Sequence, residues 1–261
     1  MRILLCNDDG ILAPGLAALR AALSDLGEVS VVAPAEVQSA AGHSITLSGP
    51  LAVSRVHVQD GFFGHSVEGR PADCVKLAVT RLLEAPPDLV VSGINDGANA
   101  GIHVLYSGTV AAAAEGALLG FPAIAVSMER GRERDFRRAA AIAMPIIRRL
   151  LDEGLGPGQL VSINLPDLAA GLPRGIRVVP QAVCGMEDGF VDFTGPDGRR
   201  YYWFTEGRFK HGEPADNDLD ALREGYVTIT PLQFDMTRYE LLEDLRRRDW
   251  SAVEAAVKGE S

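Results

Sequence analysis

Residues 2–10, Arg2-Ile3-Leu4-Leu5-Cys6-Asn7-Asp8-Asp9-Gly10, form a short apolar run that breaks at once into an amide, two carboxylates and a glycine. A continuous apolar run of this length, closed by turn residues, reads as a buried strand of an α/β sheet. The segments that follow agree. Apolar residues recur at helical spacing over 16–23, Gly27 ends that helix, and 29–33 is again apolar and β-branched until Pro34 stops it. Strand, helix and strand make a βαβ unit.

The alternation continues outward. A helix over 72–83 opens at Pro71 and closes at Pro86-Pro87; then come a strand at 89–91, an Ala-rich helix over 108–119, a strand at 123–127, a long helix over 136–151 and a strand at 161–165. This order predicts an α/β protein with a mostly parallel sheet, helices on both faces and right-handed crossovers. Two-residue alternation over 45–58 and around 65–67 predicts antiparallel strands inserted at a sheet edge. Past about residue 180 the chain turns aromatic, Gly-rich and charged, as in Tyr201-Tyr202-Trp203-Phe204 and Phe209-Lys210-His211-Gly212, and helical periodicity is absent until Tyr239. A hairpin or extended arm seeking a partner surface fits that texture. A strand over 225–231 and an amphipathic helix over 239–257 complete the chain, dividing it into a core of 1–180 and an extension of 181–261.

Twenty-five Lys plus Arg stand against thirty-five Asp plus Glu, a formal charge of −10 that argues against a broad surface for a nucleic-acid duplex. No apolar run approaches the roughly 18–20 residues that span a bilayer, and residues 1–9 turn acidic too soon for a signal peptide. A cytoplasmic protein with no membrane partner is expected. Cys6, Cys74 and Cys184 are too scattered for a disulfide framework or a zinc site and read as reduced packing residues.

Ligands of open α/β sheets bind beyond the carboxyl ends of the strands. Three such ends carry polar loops: Asn7-Asp8-Asp9-Gly10; Gln38-Ser39 with Gly42-His43-Ser44; and 93–99, Gly-Ile-Asn-Asp-Gly-Ala-Asn. By itself Asp8-Asp9-Gly10 is more often an acidic turn. With Ser39 and Asn95 at neighbouring strand ends it becomes an oxygen-only donor set suited to hard Mg²⁺ or Mn²⁺. Tyr106-Ser107-Gly108-Thr109 opens the Ala-rich helix. Ser107 can cap it, and the N–H groups of Gly108, Thr109 and Val110 make an anion pocket, although such a start is usually only a cap. Glu115 reads as a solvated or structural carboxylate. Neither a P-loop nor a G-x-G-x-x-G dinucleotide fingerprint is present. His43, His57, His65, His103 and His211 lack zincin spacing; His43 and His103 could contact substrate but read more readily as hydrogen-bonded loop histidines. Ser39 lacks the G-x-S-x-G elbow of a hydrolase nucleophile.

Taken together, Ile3 through Gly10, Val32-Ala33-Pro34 with Gln38-Ser39-Ala40 and Gly42-His43-Ser44, Pro71-Ala72-Asp73-Cys74-Val75, Ser92 through Asn99, and Tyr106-Ser107-Gly108-Thr109-Val110 resemble the SurE (survival protein E) family of metal-dependent nucleotidases in order and spacing. The resemblance runs from residue 1 to about 240. It implies a Rossmann-like three-layer core, and a C-terminal hairpin and helix extension exchanged between subunits of a dimer or tetramer. It also implies hydrolysis of nucleoside 5′- or 3′-monophosphates with one divalent metal ion per subunit. The family's metal ligands fall on Asp8, Asp9, Ser39 and Asn95, and its phosphate contacts on Asn99, Ser107, Gly108 and Thr109. Arg70 departs from the small hydroxylic residue that often precedes Pro-Ala-Asp, and the 185–214 arm matches no specified pattern.

The expected chemistry is metal-assisted attack of water on the phosphorus, with Asp8, Asp9 and Asn95 catalytic and the helix N–H groups and Asn99 holding phosphoryl oxygens. An aspartyl-phosphate phosphatase would need a carboxylate at the first position of its acidic turn, where this chain has Asn7, with Asp9 two residues on. A non-catalytic nucleotide sensor would use the same helix start without turnover.

Overall fold

The structure, a computed structural model, describes residues 1–58, 61–132, 134–184, 186–209 and 215–259. The elements are β1 (Arg2–Cys6), α1 (Pro14–Leu23), β2 (Glu28–Pro34), β3 (Val53–Val58), β4 (Gly61–Val67), α2 (Pro71–Leu77), β5 (Leu89–Asp96), α3 (Gly108–Leu118), β6 (Ala123–Met128) and α4 (Phe136–Asp152). There follow β7 (Leu160–Leu165), β8 (Ile176–Val178), β9 (Met186–Thr194), β10 (Arg200–Phe209), α5 (Asp218–Arg223), β11 (Val227–Leu232), α6 (Tyr239–Arg246) and α7 (Ser251–Lys258).

Among the described residues one sheet runs in the order β3-β4-β2-β1-β5-β6-β7-β11-β8. Strands β4, β2, β1, β5, β6 and β7 are parallel; β3 is antiparallel to β4, and β11 is antiparallel to β7. Side chains of a strand alternate between faces, and both faces of this sheet are covered. Ile3 and Leu5 of β1 pack in one core with Leu16, Leu19 and Leu23 of α1 and Phe136, Ala139 and Ile147 of α4. Leu4 and Cys6 pack in the other with Cys74 and Val75 of α2 and Ala112, Ala113 and Ala117 of α3. This is the three-layer α/β architecture expected, with the β3–β4 pair at one edge.

Several elements differ from the sequence reading. Residues 45–52 form no strand, because Thr46 is tied to the start of α2: its N–H (3.0 Å) and hydroxyl (2.7 Å) donate to the Asp73 carboxylate. The 72–83 helix is α-helical only to Leu77 and then widens into a π-helical stretch over Ala78–Leu82. The helix expected over 239–257 breaks into α6 and α7. The Trp250 indole N–H donates to the Leu245 carbonyl at the end of α6 (2.8 Å), and Asp249 accepts from the Ser251 N–H (2.9 Å) and so starts α7. Helix α5 stands where no helix was expected, opened by Asn217, whose side chain accepts from the Asp220 N–H. The strand near 225–231 is β11, inside the sheet between β7 and β8.

The aromatic segment is a two-stranded antiparallel hairpin, β9–β10, as expected. Gly185, 210–214 and with them His211 lie outside the described residues. Cys6, Cys74 and Cys184 are free. Among the described residues no helix is long and apolar enough to cross a membrane.

Candidate active site

The β1–β2 and β1–β5 pairings bring three strand ends side by side. Backbone hydrogen bonds then stitch their loops together: Gln38 N–H to Asp8 O (2.7 Å), Ile11 N–H to Pro34 O (2.9 Å) and Gly42 N–H to Tyr106 O (3.0 Å). The Asn7 amide donates to Gly10 O (2.9 Å) and closes the acidic turn. A cavity of about 900 Å³ opens above, and Asp8, Asp9, Ser39, Asn95, Asn99 and Ser107 all line it. Gly108 and Thr109 are buried and are not among its lining residues.

Asp8 is 4% exposed. Burial, reinforced by the neighbouring charge of Asp9, pushes its carboxyl up to about 6, against the hydrogen bond donated by the Thr109 hydroxyl. The Thr109 hydroxyl is thus engaged on Asp8, leaving its N–H group as the part that belongs to the helix start. Burial likewise raises Asp9, whose carboxylate accepts the Asp96 N–H (3.1 Å). The Asp96 loop is in turn held by Arg134, 2.8 Å from the Asp96 carboxylate, and by Arg130, which donates to the Asp96 carbonyl (2.9 Å). Asn95 donates its amide to Gly97 O (2.7 Å), which leaves the amide oxygen as its acceptor.

Helix α3 begins against this turn. Ser107 caps it, its hydroxyl oxygen accepting from the Val110 N–H (3.0 Å). A Cβ at Gly108 would lie 2.7 Å from Asp8 Cβ, so the positive helix end and the carboxylates share one small volume. Asn99 comes in from the other side. Its N–H donates to Asn164 Oδ1 of β7 and its amide to the Ser127 hydroxyl of β6, each at 2.8 Å, which fixes the side chain from beneath.

Glu115 is structural, not solvated: it is 3% exposed, with His43 at 2.9 Å and Lys76 on its other oxygen. His43 is accordingly a hydrogen-bonded loop histidine that holds the Ser39 loop, while His103 lines the cavity. Burial works against the Glu115 charge, but the hydrogen bonds from His43 and Lys76 win and hold its carboxyl below the usual value. A depressed folded-state value gives stability that is present above the unfolded value, 4.5, and is lost as pH falls through the folded one. Glu115→Gln is therefore expected to cost about 1 kcal/mol near neutral pH, small because both partners reach solvent. In urea melts its deficit against wild type should shrink below about pH 4.5.

Arg70 explains its own tolerance. It stands before α2, and the group that bonds the Asp73 carboxylate is its backbone N–H (2.9 Å), which any residue but proline supplies. Sequence reasoning missed Arg130, Arg134 and Lys76, because charges on distant elements acquire partners only in the fold. It also missed Asp218, which is buried and accepts from Gly101 N–H (2.9 Å) and Ala182 N–H (2.8 Å), tying the base of the hairpin to the loop after Asn99. Asn217-Asp218 with Asp220 was a readable helix start.

The family model for Survival protein SurE matches residues 3–187. The chain is 46% identical over 252 residues to the 5′-nucleotidase SurE of Rhodopirellula baltica, covering 96% of this chain and 99% of that protein. It is 43% identical over 245 residues to the 5′-nucleotidase SurE of Syntrophobacter fumaroxidans, covering 94% and 98%. In fold it matches the crystal structure of the SurE protein from Aquifex aeolicus with a TM-score of 0.80 and 38% identity, covering 94% of this chain and 98% of that one. The strand-end carboxylates, the helix start pressed on them and this agreement over nearly the whole length lead to one conclusion: the chain belongs to the SurE family.

Proposed function

We propose that this chain is a phosphomonoesterase that hydrolyses nucleoside 5′- or 3′-monophosphates to nucleoside and phosphate, and that it depends on one divalent cation, Mg²⁺ or Mn²⁺. The observation that carries the reading is the contact between the start of α3 and Asp8, where a Gly108 Cβ would fall 2.7 Å from Asp8 Cβ. A helix start favours an anion and adjacent carboxylates favour a cation; side by side they suit a phosphate and its counter-ion.

The residues present fit such a cation. Asp8 and Asp9 are adjacent carboxylates whose charged forms burial disfavours. Asn95 and Ser39 line the same cavity, and their amide and hydroxyl oxygens would complete an oxygen donor set of the kind hard cations take. Asp8, Asp9, Ser39 and Asn95 would hold the ion, which when bound supplies positive charge toward phosphoryl oxygens and lowers the pKa of water.

The chain's own groups do the rest. The N–H groups at the start of α3, with Ser107 and the Asn99 amide, orient the phosphate; donors fixed before reaction cost no reorganisation as charge spreads over its oxygens. Asp8 or Asp9 orients the attacking water and accepts its proton. Asn7 offers no nucleophile, and its amide is occupied by Gly10 O.

A phosphate-release screen over nucleoside monophosphates is the test, run with EDTA and with Mg²⁺ or Mn²⁺ restored. Release is expected only with the cation; release unchanged in EDTA, or a trapped phosphoenzyme, would overturn the reading. Binding without release would mark a sensor.

In this reading the parts of the 181–261 extension that lie outside the sheet, the β9–β10 hairpin and α6–α7, are exchanged between subunits and join copies of the chain into a dimer or tetramer, while β11 stays in the sheet of its own chain. Trp203, Met236, Tyr239 and Val257 are each more than half exposed, apolar side chains that a partner copy would cover. Light scattering should give a mass of two or four chains. The free cysteines fit a cytoplasmic, reducing setting.

A further inference from the structure

A cavity of about 900 Å³ is far larger than a phosphate group needs and lies in the range of sites for whole small molecules. Part of its lining has no use in phosphoryl transfer: Phe204 from β10 and Leu219 and Leu222 from α5, one helical turn apart. Phe204 is half exposed, yet its ring is not loose. It packs edge-to-face on Phe190, centroids 5.4 Å apart and planes at 66°. A fixed aromatic ring left half bare on the wall of a cavity that also carries carboxylates and amides is what a planar ligand group stacks on.

We propose that Phe204 is the base-stacking subsite of this cavity. The inference rests on the nucleotidase reading and adds to it the part of the substrate that is recognised. Stacking requires only a π-face, so the subsite accepts every base and grades them by ring area, purines ahead of pyrimidines. It discriminates strongly only against phosphomonoesters that carry no base. Phe204 stands on a hairpin whose base is tied to the loop after Asn99: Asp218 accepts from Gly101 N–H and Gln181 donates to Gly101 O (2.8 Å).

The test compares AMP, CMP and ribose 5-phosphate as substrates of wild type, Phe204→Ala and Phe204→Trp in saturating Mg²⁺ or Mn²⁺. For Phe204→Ala, kcat/KM on AMP should fall about tenfold to a hundredfold, the range of lost aromatic stacking, mainly through KM, and less on CMP. On ribose 5-phosphate it should stay within twofold, and Phe204→Trp should keep the activity on AMP. AMP binding measured by calorimetry should weaken in parallel. An equal fall on all three substrates would assign Phe204 a structural role in the hairpin and overturn the proposal, as would an unchanged KM for AMP. Wild type that releases phosphate from none of them would overturn the nucleotidase reading itself, whatever Phe204 does.

Discussion

Asp8→Asn is expected to cost about 10³-fold or more in phosphate release while leaving the fold intact or slightly stabilised. The loss follows from charge: asparagine keeps the shape and can still accept the Thr109 hydroxyl, but it offers a cation a neutral amide oxygen. Losing several kcal/mol of transition-state charge stabilisation amounts to that factor, at 1.36 kcal/mol per tenfold. Burial and the neighbouring Asp9 raise the folded-state value of Asp8 from 3.8 to about 6. A raised folded value means stability that is full below the unfolded value and is lost as pH rises through the folded one. At pH 7 the ionised Asp8 is therefore a cost that asparagine removes. In EDTA the variant should melt at or above the wild-type temperature, and adding Mg²⁺ should stabilise wild type but not the variant. A variant turning over at near wild-type rates would sink the assignment of Asp8.

Gly108→Ala is expected to lower kcat about 100-fold, the usual penalty for misplacing a reacting group by an ångström. Its Cβ would lie 2.7 Å from Asp8 Cβ, 2.9 Å from Oδ2 and 3.1 Å from Cγ. Asp8 Cβ is fixed by its own backbone and cannot swing aside, so either the end of β1 or the start of α3 must move. Both hold the site: the first carries the carboxylates, the second the N–H groups. Alanine is otherwise the better helix residue, so the melting temperature should change far less than the rate. A Gly108→Ala enzyme with unaltered kcat would show that the helix start and Asp8 need not approach so closely.

Strands β1, β5, β6 and β7 were legible because each is a short run buried on both faces, which leaves little room for polar residues. Where burial is one-sided or absent, local competition decided the outcome. Asp73 drew 45–52 away from a ladder, Asp249 split the terminal helix, and the six-residue α5 was too short for periodicity to reveal.

The sequence by itself determined the α/β class and the strand ends as the place where chemistry collects, with Asp8, Asp9, Ser39 and Asn95 there and Ser107, Gly108 and Thr109 at a helix start, while Asn99 as a phosphate contact came with the resemblance to the SurE family. It could do so because apolar runs, glycines and caps encode local geometry within a few residues. Only the tertiary structure decided which charges act together: Glu115 with Lys76 and His43, Asp96 with Arg130 and Arg134, and Asp218 beneath the hairpin. It alone brought Phe204 to the cavity of Asp8, nearly two hundred positions away in the chain. Coulombic, hydrogen-bonding and stacking interactions act over ångströms of space, and the sheet order that creates those distances is written in no single stretch of residues.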